Sequence, residues 1–213
     1  TRNFALKGGF NFKGGRFTEE DYRWAVMKKK IPGRLAFEVF NLLFISIFQL
    51  VLIFGFTFPL YLAGTSSAPL GTADFVLFAL QAIFLILETI ADEQQFTYYR
   101  KRGTTGDPRI SAGFNTFGLW KYSRHPNYVC EMGQWLVVSL YPLAAGLAWW
   151  PSGLPALVLV ALFAGSTGLA ESISAGKYPL YAAWKKATPV WIPVTLPFRT
   201  AARRRFWESV GKK

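Results

Sequence analysis

Sulfur and imidazole are nearly missing from this chain: its 213 residues include one cysteine, Cys130, and one histidine, His125. A single cysteine excludes an internal disulfide and a thiolate zinc site, and a single histidine argues against a histidine-based metal site. Acidic charge is scarce as well, with 12 Asp and Glu against 24 Lys and Arg, a formal charge of +12. No Gly-x-Gly-x-x-Gly follows a strand-like run, and Gly8-Gly9 and Gly14-Gly15 read as loop glycines, so nothing suggests a Rossmann-type nucleotide fold. No signal-peptide pattern, internal repeat or low-complexity tract is visible. The chain begins at Thr1 without Met, which reads as a processed or trimmed N-terminus.

What the chain does hold is apolar residues in long blocks, with the charges gathered between them. A helix crossing a bilayer needs about 20 mostly apolar residues. Four blocks meet this, at about 40–62, 73–91, 128–150 and 154–170. Pro142 predicts a kink in the third. Pro151-Ser152-Gly153 predicts a turn that makes the third and fourth a tight hairpin. Segments 1–39, 92–127 and 171–213 hold 9, 6 and 9 of the Lys and Arg residues, and the loops 63–72 and 151–153 hold none. All the positive charge therefore falls on one face, the pattern of a positive-inside topology. A basic soluble chain would suggest nucleic acid; here the cations flank apolar spans and point to anionic lipid headgroups instead.

The expected fold is all-α: a polytopic membrane bundle of about four transmembrane helices with a short amphipathic surface helix. Thr18 would cap that surface helix, Glu19, Glu20 and Asp21 fill its first turn, and Pro32-Gly33 end it. The expected organisation is a basic surface segment (1–39), a membrane domain (40–198) and a basic tail (199–213). In the tail, Arg203-Arg204-Arg205-Phe206-Trp207 reads as an interfacial anchor. Both termini belong on the positive-inside face of an endoplasmic-reticulum, bacterial inner or organellar inner membrane.

Two groups of polar residues stand where a membrane span tolerates few. Glu88, Asp92, Gln95 and Tyr99 share one helix face at the end of the second span. They either line a water-filled or headgroup-level ligand site or form a solvated helix end. The second group, Lys121-Tyr122-Ser123-Arg124-His125-Pro126-Asn127-Tyr128, opens the third span. Pro126 favours a first helical turn and places His125 near the N-cap, where Lys121 and Arg124 suit a phosphate. Glu131, one turn further in, is a candidate buried carboxylate.

Ala91-Asp92-Glu93-Gln94, a short basic loop, then Gly118-Leu119-Trp120-Lys121-Tyr122-Ser123-Arg124-His125-Pro126-Asn127-Tyr128 with Glu131 and Trp135 after it, resembles the steroid 5α-reductase-like family, in its uncharacterised DUF1295-type branch. Glu171-Ser172-Ile173-Ser174, Lys177-Tyr178-Pro179-Leu180-Tyr181 and Ile192-Pro193 are similar to the family's C-terminal signature. Glu19-Glu20-Asp21-Tyr22-Arg23-Trp24 resembles its middle region. The resemblance implies a polytopic enzyme that uses NADPH to reduce a carbon–carbon double bond conjugated to a carbonyl in a steroid-like or isoprenoid lipid. It implies Asp92 on the adenosine or ribose side, Arg124 and Lys121 at phosphates, Asn127 and Glu131 near the nicotinamide amide, and Tyr181 near the nucleotide. The full set of cofactor-binding candidates is Glu88, Asp92, Gln95, Lys121, Tyr122, Arg124, His125, Asn127, Tyr128, Glu131 and Tyr181; no metal site and no catalytic residue is assigned.

Two departures bear on activity. Val129 and Cys130 stand where the family usually has an aromatic residue and Gly. The family's enzymes also carry two or three further spans before the Glu19–Trp24 region, which in the steroid reductases supply the acid that polarises the substrate carbonyl. A second reading follows: a retired reductase scaffold serving as a structural subunit of a large organellar membrane complex, with bound lipid. A third is a membrane methyltransferase using S-adenosylmethionine, since such enzymes share an Arg-His-Pro-x-Tyr motif and a following Glu.

Overall fold

The computed structural model describes residues 27–102, 107, 110, 112–192 and 197–211, together with the backbone of residues 12–13 and 16–17. The chain falls into two compact units, Thr1–Phe54 and Gly55–Lys213.

In the first unit, β1 (Phe12–Lys13) pairs antiparallel with β2 (Arg16–Phe17), Phe12 opposite Phe17. Of the surface helix expected from Thr18, residues 18–26 lie outside the described residues; residues 27–30 are helical. The chain turns at Gly33, whose φ of 96° favours glycine, and α1 (Arg34–Phe40) follows. It runs on into a π-helical stretch, Asn41–Phe48. There the wider turn stacks Phe40 on Phe44 and Phe44 on Phe48 at ring separations of 5.3 and 5.4 Å. The helix α2 (Gln49–Thr65) completes this run.

The second unit is built on α3 (Thr72–Lys101), α4 (Pro126–Val138), α5 (Tyr141–Ala144), α6 (Trp150–Lys177), α7 (Tyr181–Ala187) and α8 (Pro197–Gly211). Among the described residues three helical runs are long and apolar enough to cross a membrane: Arg34–Thr65, Thr72–Lys101 and Trp150–Lys177. At 1.5 Å per residue even the shortest extends about 42 Å, against a hydrocarbon core of about 30 Å. Their outward faces carry bare Leu, Ile, Val and Phe, Phe54 and Phe78 among them. Such an apolar surface has lipid as its solvent, and the protein is an integral membrane protein.

The expected count of four spans is corrected in one respect. The third is a broken crossing: α4 has 13 residues, too short to span alone. The chain turns at Ser139-Leu140 and continues through α5, with Pro142 in its first turn. Tyr141, Ala144 and Ala145 then lie beside Leu70 and Asp74, at the N-terminal end of α3. The turn expected at Pro151-Ser152-Gly153 is instead the first turn of α6, where proline is tolerated because its missing N–H has no helical partner. The reversal falls earlier, at Gly146, whose φ of 74° a side chain would resist.

Two features fix the other end. Arg124 N–H donates to Pro189 O (2.9 Å) and His125 N–H to Val190 O (3.2 Å), tying the segment before α4 to the segment after α7. An aromatic core of Phe114, Tyr181, Trp184 and Phe206 then holds α7 and α8 against the loop before Gly118. Phe206, expected at a lipid interface, is therefore buried inside the protein.

Candidate functional site

The candidate site is a polar seam between α3 and α4. On α3, Gln81, Glu88, Asp92 and Gln95 recur at intervals of seven, four and three residues, which keeps them on one face. On α4, Asn127, Glu131 and Gln134 recur at four and three. The two helices run antiparallel, so the sets meet in reverse order. Gln81 Nε2 donates to Gln134 Oε1 (3.4 Å), and Gln134 Nε2 donates to Glu88 Oε2. Glu88 and Glu131 face each other, and the Asn127 amide donates to Asp92. Trp135 Nε1 donates to Glu131 Oε1 (2.8 Å) and fixes that carboxylate from its own helix. The seam extends about 21 Å along α3.

Gly133 allows this approach: a Cβ there would lie 2.6 Å from the Phe84 ring. At the loop end, Leu119 N–H donates to Gln94 Oε1 (2.8 Å) and the Trp120 indole donates to Ala91 O (3.0 Å), closing the seam over α3. Three buried acceptors in the seam have no donor among the described residues: Gln81 Oε1, Gln95 Oε1 and Asn127 Oδ1. In a membrane interior such atoms are costly unless a ligand or water meets them.

A second constellation lies behind the start of α4. His125 is the N-cap residue of that helix, as the sequence predicts. Arg124 Nε and Nη2 donate to the two oxygens of Glu171 on α6 (2.6 and 3.2 Å). Arg124 Nη1 donates to the carbonyls of Lys185 (2.8 Å) and Thr188 (2.7 Å). His125 Nε2 lies 3.2 Å and Lys185 Nζ 2.9 Å from the same Glu171 carboxylate. Arg124 and Glu171 are both buried. The result is a clamp joining α4, α6 and α7, with the Arg124 fork already engaged.

A family model described as a protein of unknown function, DUF1295, matches residues 9–188. This chain belongs to the DUF1295 family. That family is part of the steroid 5α-reductase-like group. The chain is 34% identical over 216 residues to an uncharacterised protein of Schizosaccharomyces pombe, C594.04c, covering 91% of this chain. It spans 59% of the length of that relative. No solved structure matches.

In this DUF1295 chain the residues singled out from sequence divide into three places. Glu88, Asp92, Gln95, Asn127 and Glu131 are brought together in the seam. Arg124 and His125 join the clamp, where Tyr128 stacks on His125 at 5.1 Å and meets Phe163 edge-on at 4.7 Å. Lys121, Tyr122 and Tyr181 contact the C-terminal elements: Lys121 over Trp207, Tyr122 beneath Arg203, and Tyr181 within the aromatic core. Tyr99, expected on the polar face, is exposed, and its neighbour Tyr98 is buried instead. Sequence reasoning missed Gln81 and Gln134. Both continue the spacing already noticed, Gln81 seven residues before Glu88 and Gln134 three after Glu131. Cys130 is buried beside the seam.

Proposed function

We propose that this chain is the nucleotide-binding part of a membrane-embedded NADPH-dependent reductase acting on a carbon–carbon double bond conjugated to a carbonyl in a lipid. The observation that carries the reading is the pair of unpaired, buried acceptors, Asn127 Oδ1 and Gln95 Oε1, in a seam that also holds Asp92 and Glu131. A carboxamide NH2 brings two donors and suits acceptors of this kind. Asn127 and Glu131 would hold the nicotinamide carboxamide, and Asp92 the ribose or adenosine side. When bound, the reduced nicotinamide supplies a hydride to the double bond.

The chain's own contribution is orientation. Trp135 holds Glu131 and Asp92 holds Asn127, so few polar groups fix one face of a flat ring. Glu88, Asp92 and Glu131 are the carboxyl groups described in the seam, each able to exchange the proton that accompanies a hydride.

A second reading has an observation of its own. Arg124, the expected phosphate ligand, has its donors occupied by Glu171 and by two backbone carbonyls. A scaffold that keeps the reductase framework for stability alone, as a structural subunit of a larger membrane complex, fits that arrangement. Mass spectrometry of small molecules released from the purified protein by denaturation separates the two. NADP(H) at near-stoichiometric amount, with NADPH oxidation on an added enone lipid, supports the reductase. Lipid alone supports the structural subunit, and S-adenosylmethionine would replace both readings.

A further inference from the structure

The cations at the loop end of the second unit are arranged more closely than a solvated basic tail requires. Two cation–π contacts stitch the same two segments in opposite directions: Lys121 Nζ lies 5.6 Å from the Trp207 ring centroid, and Arg203 Cζ lies 5.2 Å from that of Tyr122. Lys121 and Tyr122 are neighbours in the chain, and Arg203 and Trp207 are one helical turn apart on α8. Each segment therefore supplies one cation and one ring. Phe206 and Val210, 1% and 2% exposed, seat α8 on the aromatic core. That seating leaves Arg204 and Arg205 on the exposed side.

This surface lies where the membrane helices end. The last turn of α3 carries Arg100 and Lys101, and Arg102 lies over the Tyr178 ring at the end of α6. Arg124 and Glu171 join the start of α4 to the last turns of α6. Three membrane helices thus finish in one layer with α8 beside it. Glu208 is the only acid within α8, against Arg199, Arg203, Arg204 and Arg205. Aromatic rings with adjoining cations at the ends of apolar spans match the chemistry of the headgroup layer.

We propose that α8 and the Lys121-Tyr122 segment form a binding surface for the phosphates of anionic phospholipids, with Lys121 and Arg203 as cations held in place by aromatic rings and Arg204 and Arg205 completing the site. The sequence suggests Phe206 and Trp207 inserting into lipid. The structure instead fastens α8 through Phe206 to the protein, so that its arginines face the headgroups. This surface is independent of the reductase reading.

The test is native mass spectrometry of the whole chain in neutral detergent, titrated with phosphatidylglycerol or phosphatidylcholine. The expected result is preferential retention of phosphatidylglycerol. That preference should fall about fivefold for each cation removed in R204Q, R204Q/R205Q and K121Q/R203Q, and return in R204K/R205K. R204Q/R205Q alters only exposed side chains, so an unchanged melting temperature there separates lost binding from lost folding. Equal retention of the two lipids overturns the proposal, as does a preference unchanged in the variants. If released NADP(H) rather than phosphatidylglycerol falls in K121Q/R203Q, these cations serve a nucleotide phosphate and the proposal also fails.

Discussion

Replacing Glu171 by Leu should destabilise the protein strongly. The carboxylate satisfies Arg124 through two hydrogen bonds and meets His125 and Lys185 as well. Removing one partner of a buried ion pair costs about 3–5 kcal/mol, because the other charge stays buried without compensation. Lys185 adds little to this: its side chain is 42% exposed, so its share is about 0–1 kcal/mol. For a chain of this size the loss corresponds to an apparent melting temperature lower by roughly 6–20 °C. Thermal unfolding in detergent, followed by tryptophan fluorescence, measures it.

The informative comparison is the double variant. R124M alone should cost less than E171L, since Lys185 still faces the remaining carboxylate. R124M/E171L should melt above E171L, because an apolar pair replaces a broken ionic one. A coupling above about 1 kcal/mol in this cycle identifies the clamp as one unit. A shift under about 2 °C for E171L, or strictly additive losses, would refute the assignment of Arg124 to a structural clamp. So would an R124M variant with normal melting and lost nucleotide.

Two further changes address the seam. Gly133→Leu drives a side chain into the Phe84 ring and should cost about 1–3 kcal/mol through overpacking, read as a lower melting temperature in the same assay. Asp92→Asn keeps the volume and should leave melting nearly unchanged. If the nucleotide reading holds, it weakens NADPH binding about tenfold or more, the value of a hydrogen bond to a charged group, as measured by equilibrium dialysis.

The features legible in the sequence are those that depend on neighbours along one helix. Glu88, Asp92 and Gln95 could be placed on one face because 3.6 residues make a turn, whatever lies opposite. His125 could be placed at a helix start because Pro126 restricts the residue before it and fits the first turn. The broken third crossing was half legible: Pro142 announced a disturbance, but Pro151-Ser152-Gly153 reads as a turn only if its proline lies outside a helix, and the same proline is equally at home in the first turn of α6. Pattern alone does not decide between those two, whereas Gly146 at a positive φ does.

The clamp shows why the rest was not legible. Arg124 and Glu171 are 47 residues apart, and Thr188 is 64 from Arg124. No local rule pairs them, so Arg124 next to His125 looks like a free cation waiting for a phosphate. Only the fold shows that its fork is engaged, and this changes where a nucleotide would find charge compensation. Among the described residues the seam offers amide and carboxyl groups, which suit a carboxamide and a ribose. A nucleotide's phosphates would have to find charge compensation outside the seam, since displacing Arg124 from Glu171 carries the cost given above. A nucleotide bound as proposed should therefore leave the clamp intact: it should raise the melting temperature of the loaded protein, and equilibrium dialysis should find its binding insensitive to R124M.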